Sequence, residues 1–283
     1  MSRSRLRRGE EAWLGVDKDP KTLLPVLYIN LDQDKDRRAH ILETLAQDED
    51  NLRLMRVAAL EPPIALPGAA FADTLSVGEI GCYASHMKAW DALLASRSPF
   101  AVVLEDDARV PPNLADLVQE MIAVLPEHWD LVHLYDREEY PARPLGAVGT
   151  EHELVRYSRV PGGCVAYLIS RSGARKLRRR ELRSWPLDTD FRRPWHFDLD
   201  SYGIRPALID HDNDFTSAIL KRGPRSRRRR GITLSSPLHS LQGARWNLRK
   251  LGIGWWLYCL AINSGRRLAK AAGNLPMRKT QLR

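Results

Sequence analysis

The chain has 283 residues, 43% of them hydrophobic, and 44 Lys and Arg against 35 Asp and Glu give it a formal net charge of +9. That length and apolar content exclude a chain disordered throughout and allow a full core in one large domain, with or without an appendage. Cys82, Cys164 and Cys259 are odd in number and far apart. This argues against a disulfide scaffold, fits a reducing compartment, and makes each a small side chain for a core.

Residues 1–23 begin basic at Met1 to Arg8 but continue Gly9-Glu10-Glu11 instead of an apolar run, so they read as a polar extension without a secretory signal. Leu24 to Asn30 is an apolar strand that breaks into the charged stretch Asp32 to Arg38, and His40 to Leu45 continues as a helix. Ser76 and Glu79 stand at capping-box spacing ahead of a helix running to about Ser96, with Ile80, Tyr83, Ala84, Met87 and Leu94 on its apolar side. Phe100 to Glu105 is the next strand. Asp116 to Leu125 predicts a helix, Asp130 to Leu134 and Gly163 to Ile169 predict strands, Ser172 to Arg180 a helix entered from Ser170, and Arg205 to Ile209 a last short strand. Pro62 to Gly68 and Tyr140 to Gly149 read as loops. The alternation implies an α/β fold with a mainly parallel sheet flanked by helices.

Charge divides the chain. Residues 221–283 hold 16 Lys and Arg and no acid, leaving 28 bases and all 35 acids before them. The domain therefore reads as residues 24–220, followed by a basic, partly helical C-terminal tail whose partner is anionic. In that tail the Arg225 to Arg230 run precedes Trp246 and the apolar stretch Leu251 to Ile262. Twelve helical residues reach about 18 Å, too short for roughly 30 Å of hydrocarbon. Trp255, Trp256 and Tyr258, flanked by Arg245, Arg249, Lys250, Arg266, Arg267 and Lys270, suit a headgroup-level anchor on an anionic membrane surface. Nucleic acid is the lesser expectation, because no zinc-ligand spacing, helix-turn-helix or aromatic-basic sheet pattern accompanies the arginines.

The chemistry concentrates in Val102-Val103-Leu104-Glu105-Asp106-Asp107-Ala108. A buried strand delivers three acids together at its carboxyl end, where open α/β sheets bind ligands. Adjacent carboxylates repel unless a cation sits between them, and hard oxygen donors suit Mg²⁺ or Mn²⁺ carrying a substrate phosphate. Alternation along an extended segment puts Glu105 and Asp107 on one face, as metal ligands, and leaves Asp106 for ribose or sugar hydroxyls. Glu79 and His86, two helical turns apart with Cys82 between them, read as donor-site or positioning residues. Arg37 and Arg38 lie where they could grip a diphosphate. His211 could complete the metal shell, or belong to a plain acidic loop with Asp210, Asp212 and Asp214.

Several segments together resemble one family. Tyr28-Ile29-Asn30-Leu31 with Asp36-Arg37-Arg38, Gly78 to His86 with Trp90, Leu104 to Ala108, Ala166 to Ser170 with Gly173-Ala174 and Leu177, and Pro186-Leu187-Asp188 are similar, in this order, to motifs of glycosyltransferase family 25. The resemblance runs from about Leu24 to Ile219. It implies a GT-A-type fold binding a UDP-sugar, in which Asn30 joins the donor-binding residues, and inverting transfer of a hexose, usually galactose from UDP-galactose. In bacterial members the acceptor is a lipid-linked oligosaccharide core, as in lipooligosaccharide, at the cytoplasmic face of the inner membrane, which would make this chain a peripheral protein there. Asp188, in the Pro-x-Asp segment beside Trp185, is the expected base for the acceptor hydroxyl, with Asp190, Asp198 and Asp200 as rivals. A non-catalytic sugar-nucleotide, membrane or nucleic-acid binder of the same fold is the alternative.

Overall fold

Leu24-Pro25-Val26-Leu27-Tyr28-Ile29 is apolar on both faces apart from the Tyr28 hydroxyl, so the strand it forms must be covered on both sides. In the computed structural model, which describes residues 23–64, 66–136, 140–212 and 237–271 (in the last segment, side chains of 241–265 only), it is β1 (Leu24–Asn30), buried along its whole length. There follow α1 (Lys35–Leu45), β2 (Leu52–Ala58), β3 (Ala70–Phe71), α2 (Val77–Ala95), β4 (Phe100–Glu105), β5 (Ala108–Arg109) and α3 (Leu114–Val124). Next come β6 (Leu131–His133), β7 (Ala142–Val148), β8 (His152–Tyr157), β9 (Ala166–Ser170) and α4 (Arg171–Leu177). β10 (Leu182–Arg183), α5 (Leu187–Phe191), α6 (Pro194–Phe197), β11 (Ser201–Arg205), β12 (Asp210–His211), α7 (Pro237–Leu251) and α8 (Ile253–Ala271) complete the described elements.

The central sheet has the order β2-β1-β4-β9-β6-β11-β8-β7. β1, β2, β4, β6, β11 and β7 run one way and only β9 and β8 run the other, so the α/β expectation of a mostly parallel sheet holds, with two reversed strands. Alternation along β4 feeds two cores. Val102 and Leu104 pack with Tyr28, Ile41 and Leu114 on one face, while Ala101 and Val103 pack with Tyr83, Met87 and Trp90 of α2 on the other.

α2 begins where the capping spacing places it. The Ser76 hydroxyl accepts the Glu79 N–H, and the Glu79 carboxylate accepts the Ser76 N–H at 2.8 Å. Three expectations change. The Tyr140 to Gly149 stretch is not a loop but contains β7, which tolerates Pro144 and Gly146 because it is the sheet edge and its register shifts between them. The last long strand is Ser201–Arg205 rather than Arg205 to Ile209, since Pro206 has no N–H to continue the ladder. The region from 221 onward is not all separate from the body. α7 is held to it by Lys250 Nζ to Asp200 (2.5 Å), Asn247 Nδ2 to the Ser158 carbonyl (2.7 Å) and Arg143 Nη1 to the Leu251 carbonyl (3.1 Å). Gly252, at φ +79°, then breaks the predicted apolar stretch in two, as a left-handed residue after a helix does. The Arg225 to Arg230 run lies outside the described residues.

His133 is wholly enclosed between the rings of Tyr157 and Phe191, at 6.3 and 5.7 Å between centroids, and burial pushes its pKa down to about 3. The unfolded chain takes up a proton near pH 6.5 while the fold keeps the imidazole neutral. Stability therefore falls as pH drops from 6.5 toward 3, by at most about 1.4 kcal/mol per pH unit. His133→Phe should flatten this acid limb in urea midpoints measured between pH 7 and pH 4; an equally steep limb in the variant would assign the loss to other groups.

Candidate active site

β1 and β4 are parallel neighbours in register, Ile29 opposite Glu105, so the ends of both strands open at the same level. The first turns of α2 cross there. The resulting cleft is lined by Asn30 and Arg37, by Gly81, Cys82 and His86 of α2, and by Glu105, Asp106 and Asp107.

The cation that the acid triplet requires is Arg37. Its Nε and Nη2 reach Asp106 Oδ1 at 2.7 and 2.5 Å, and Nη2 also reaches Asp107 Oδ2 at 3.0 Å. Burial opposes the charge on Arg37, but the hydrogen bond and attraction from Asp106 outweigh it and raise its pKa. Asn30 Nδ2 donates to the other Asp106 oxygen at 2.7 Å, and Arg56 orients that amide through Asn30 Oδ1 (3.3 Å) and the Asn30 carbonyl (3.0 Å). Both Asp106 oxygens are thereby occupied. Asp107 differs: its Oδ1 is buried without a hydrogen-bond partner among the described residues. Burial and then the charge of Glu105 push the Asp107 pKa up to about 6, against the pull of Arg37. An uncompensated, buried carboxylate oxygen at the rim of a cleft is a fitting ligand for a hard divalent cation.

Glu105 and Asp107 line the same cleft but do not share neighbours as strict alternation predicts. β4 ends at Glu105, and the chain turns through Asp106 and Asp107, which brings both of these to Arg37. Glu105 keeps the strand's direction toward α2, where Oε1 meets His86 Nε2 at 3.3 Å and the Cys164 thiol at 3.1 Å. Burial alone would raise the Glu105 pKa, yet the hydrogen bond and charge of His86 hold it below the ordinary range. Burial likewise works against a charged His86, and the hydrogen bonds to Cys82 and Glu105 overcome it, lifting its pKa to about 9. The Nδ1 of His86 lies 2.9 Å from the Tyr167 hydroxyl, which also accepts Trp90 Nε1–H at 2.9 Å. Cys82 and Cys164 are thus part of a polar cluster rather than inert core side chains. Only Cys259 is simply buried.

Other expected residues fall elsewhere. Arg38 is exposed and outside the cleft lining. Glu79 holds the α2 cap and is also outside that lining. Among the candidate bases, Asp190 is buried against Tyr83 (2.9 Å) and Arg193 (3.3 Å), Asp200 is paired with Lys250 and Arg156, and Asp198 is exposed at a left-handed turn. Asp188, half-buried in the first turn of α5, forms no ion pair among the described residues; it accepts a hydrogen bond from the neighbouring Thr189 hydroxyl at 3.3 Å. His211 comes close to the acids, because β12 pairs with β5 in a register that sets His211 opposite Ala108, and the Asp212 N–H donates to the Asp107 carbonyl at 2.8 Å. Asn30, Arg56 and Tyr167 as supports of the acids, and Cys164 as a neighbour of Glu105, are what the sequence does not disclose. Only the i, i+4 spacing of Cys82 and His86 gives a hint.

Residues 24–192 match the model of glycosyltransferase family 25, described as an LPS biosynthesis protein. The chain belongs to that family. It is 30% identical over 179 residues to the inactive glycosyltransferase 25 family member 3 of Mus musculus, covering 61% of this chain and 28% of that protein. It is 33% identical over 178 residues to procollagen galactosyltransferase 1 of Danio rerio, with 55% and 28% covered. Procollagen galactosyltransferase 2 of Homo sapiens is 28% identical over 173 residues, with 54% and 27% covered. The chain thus spans little more than a quarter of the length of these relatives. A solved glycosyltransferase involved in glycosylation of the major capsid of PBCV-1 aligns at 9% identity and a TM-score of 0.31, over 55% of this chain and 63% of its own.

If Arg37 is the internal counter-ion, Arg37→Met leaves Asp106 buried and uncompensated and should cost about 3–5 kcal/mol in urea unfolding at pH 7. Adding Asp106→Asn to the variant should return much of that loss. A single variant as stable as the parent chain would show that Arg37 does not carry the acids.

Proposed function

We propose that the chain is an active, inverting, metal-dependent hexosyltransferase that takes a hexose, galactose foremost, from a UDP-sugar and places it on a lipid-linked oligosaccharide core such as lipooligosaccharide. The observation that carries this reading is the Asp107 carboxylate, buried, unpartnered at Oδ1 and held at the mouth of a cleft between β1, β4 and α2. Galactose is favoured because two relatives are named as galactosyltransferases. The lipid-linked acceptor rests on the family's description as an LPS biosynthesis protein and on the basic tail.

In this reading a Mn²⁺ or Mg²⁺ ion would be held by Asp107 and would supply charge neutralisation for the leaving diphosphate, while Glu105 is engaged by His86 and Cys164. Arg37 keeps the acid cluster folded and positioned. Asn30 and Asp106 form a rigid polar wall for donor hydroxyls, and His86 fixes the rotamer of Glu105. Asp188 takes the acceptor hydroxyl proton, a role supported by its freedom from the ion pairs that hold Asp190 and Asp200. A non-catalytic donor-binding protein is the second reading, favoured by relatives named inactive.

Release of UDP from UDP-galactose, measured with Mn²⁺ or Mg²⁺ and again with chelator, separates the two. Asp107→Ala should abolish metal-dependent release and weaken donor binding, whereas Asp188→Asn should retain donor affinity and lower transfer by about 10²–10⁴-fold. Turnover that persists with metal chelated would remove the metal from the reaction, and equal loss of binding and transfer in Asp188→Asn would move the base elsewhere.

The reading also places the chain as a peripheral protein on the cytoplasmic face of the inner membrane. No described helix is long and apolar enough to cross a membrane. α8 nevertheless exposes Ile253 (68%), Leu257 (52%) and Leu260 (49%) at i, i+4 and i+7, one apolar face flanked by Trp256. Changing these three residues to Glu should abolish co-flotation with anionic liposomes while leaving α7 docked; flotation at the parental level would exclude α8 as the anchor.

A further inference from the structure

Cys82 and His86 sit one helical turn apart on the same face of α2, which points them together at the end of β4. There the antiparallel pairing of Leu104 with Ala166, continued by the Glu105 N–H to the Val165 carbonyl at 2.7 Å, brings the preceding residue, Cys164, beside Glu105. The four donor atoms lie within 4.8 Å of one another, with His86 Nε2 and Cys164 Sγ at 3.3 and 3.1 Å from Glu105 Oε1. Tetrahedral zinc with bonds of about 2.0–2.3 Å requires donors about 3.3–3.8 Å apart, so the cluster needs only a small contraction to close on an ion.

The donor set also decides which ion. Two sulfurs and an imidazole select borderline-soft cations such as Zn²⁺ and are poor ligands for Mg²⁺ or Mn²⁺. The outer shell is already built. His86 presents Nε2 to the cluster while Nδ1 is held by the Tyr167 hydroxyl, itself fixed by Trp90, which is the arrangement that orients a metal-ligating histidine. We infer that Cys82, His86, Glu105 and Cys164 form a thiophilic divalent-cation site, of Zn²⁺ class, that ties α2 to β4 and the segment entering β9 beneath the donor cleft. It is distinct from the hard-cation ligand Asp107 and does not require that the chain transfer sugar.

Co²⁺ titration of the full-length, chelator-treated and reduced protein tests this, because cobalt in a thiolate site shows sulfur-to-metal charge transfer and tetrahedral ligand-field bands. One Co²⁺ per chain is expected, displaced by one Zn²⁺. Cys82→Ser and Cys164→Ser should each remove the charge-transfer band or weaken Zn²⁺ binding severely. Tyr167→Phe should weaken it by about 10–100-fold, the usual scale for an outer-shell partner. Asp107→Asn, with the four donors intact, should keep the band, which distinguishes this site from the proposed donor-metal position even if one of the Cys variants folds poorly. Absence of stoichiometric binding, a band and a Zn²⁺ affinity both unchanged in Cys164→Ser, or loss of the band in Asp107→Asn would overturn the inference. So would thiol titration showing Cys82 and Cys164 joined as a disulfide after anaerobic purification.

Discussion

Three carboxylates confined to consecutive residues at the end of one strand, with a single guanidinium set between two of them, govern the arrangement around the cleft. Desolvated like charges repel strongly, so every nearby polar group is oriented by that field. Arg37 reaches Asp106 and Asp107 from α1, Asn30 donates to Asp106 from β1, and Arg56 fixes Asn30 from β2. His86 answers Glu105 from α2. With Arg37 and His86 charged, three acids face two cations, and the remaining negative charge falls to Asp107, whose Oδ1 has no partner among the described residues. The fold holds the triplet in place without neutralising it completely, which is the condition for a site that attracts a further cation.

Membership of family 25 does not decide activity, because its members include proteins named inactive beside others named galactosyltransferases. Physical features bear on the question more directly. A carboxylate with no catalytic or ligand role costs stability when buried unpaired and is readily replaced by an amide or an apolar side chain. Asp107 carries that cost at Oδ1 alone, since Arg37 pairs with Oδ2, and its pKa is pushed up to about 6 chiefly by burial. Asp190 shows the contrast: it too is raised to about 6 by burial, but Tyr83 and Arg193 give it partners and a packing role. Both Asp190 oxygens are engaged, whereas Asp107 keeps one oxygen without a hydrogen-bond partner among the described residues, which makes Asp107 the better candidate for the proposed ligand role.

Sequence patterns disclose those parts whose signals are local. β1 and β4 are legible as continuous apolar runs, and α2 is legible because Ser76 and Glu79 announce its start. The edge strand β7 is not: Pro144, Gly146 and alternating polar residues look like a loop until β8 supplies the hydrogen bonds. The acids, Arg37 and His86 are legible as chemistry, since their residue types and spacing are visible. Their allocation is not, because it depends on where β4 stops and the turn begins; a strand one residue longer would have sent Asp106 and Asp107 to opposite faces. Cys164 is the extreme case. Its approach to Glu105 spans 59 positions and exists only through the β4–β9 register, which leaves no trace in either segment alone.

Glu105 stands at a divide between two chemistries. On one side lie the oxygen donors of Asp106 and Asp107, already shared with Arg37; on the other lie sulfur and imidazole donors from α2 and the chain before β9. One oxygen of Glu105 faces His86 and Cys164 at close range, so its preference is set by whatever occupies that softer pocket. A proton on His86 holds Glu105 through a charged hydrogen bond, and a thiophilic ion held there would take over the same position. In either state Glu105 is restrained from turning toward Asp107. The hard-cation binding proposed for the cleft mouth would then rest chiefly on Asp107 and on oxygens that a diphosphate would bring, so a metal–diphosphate pair would be favoured over a bare metal ion.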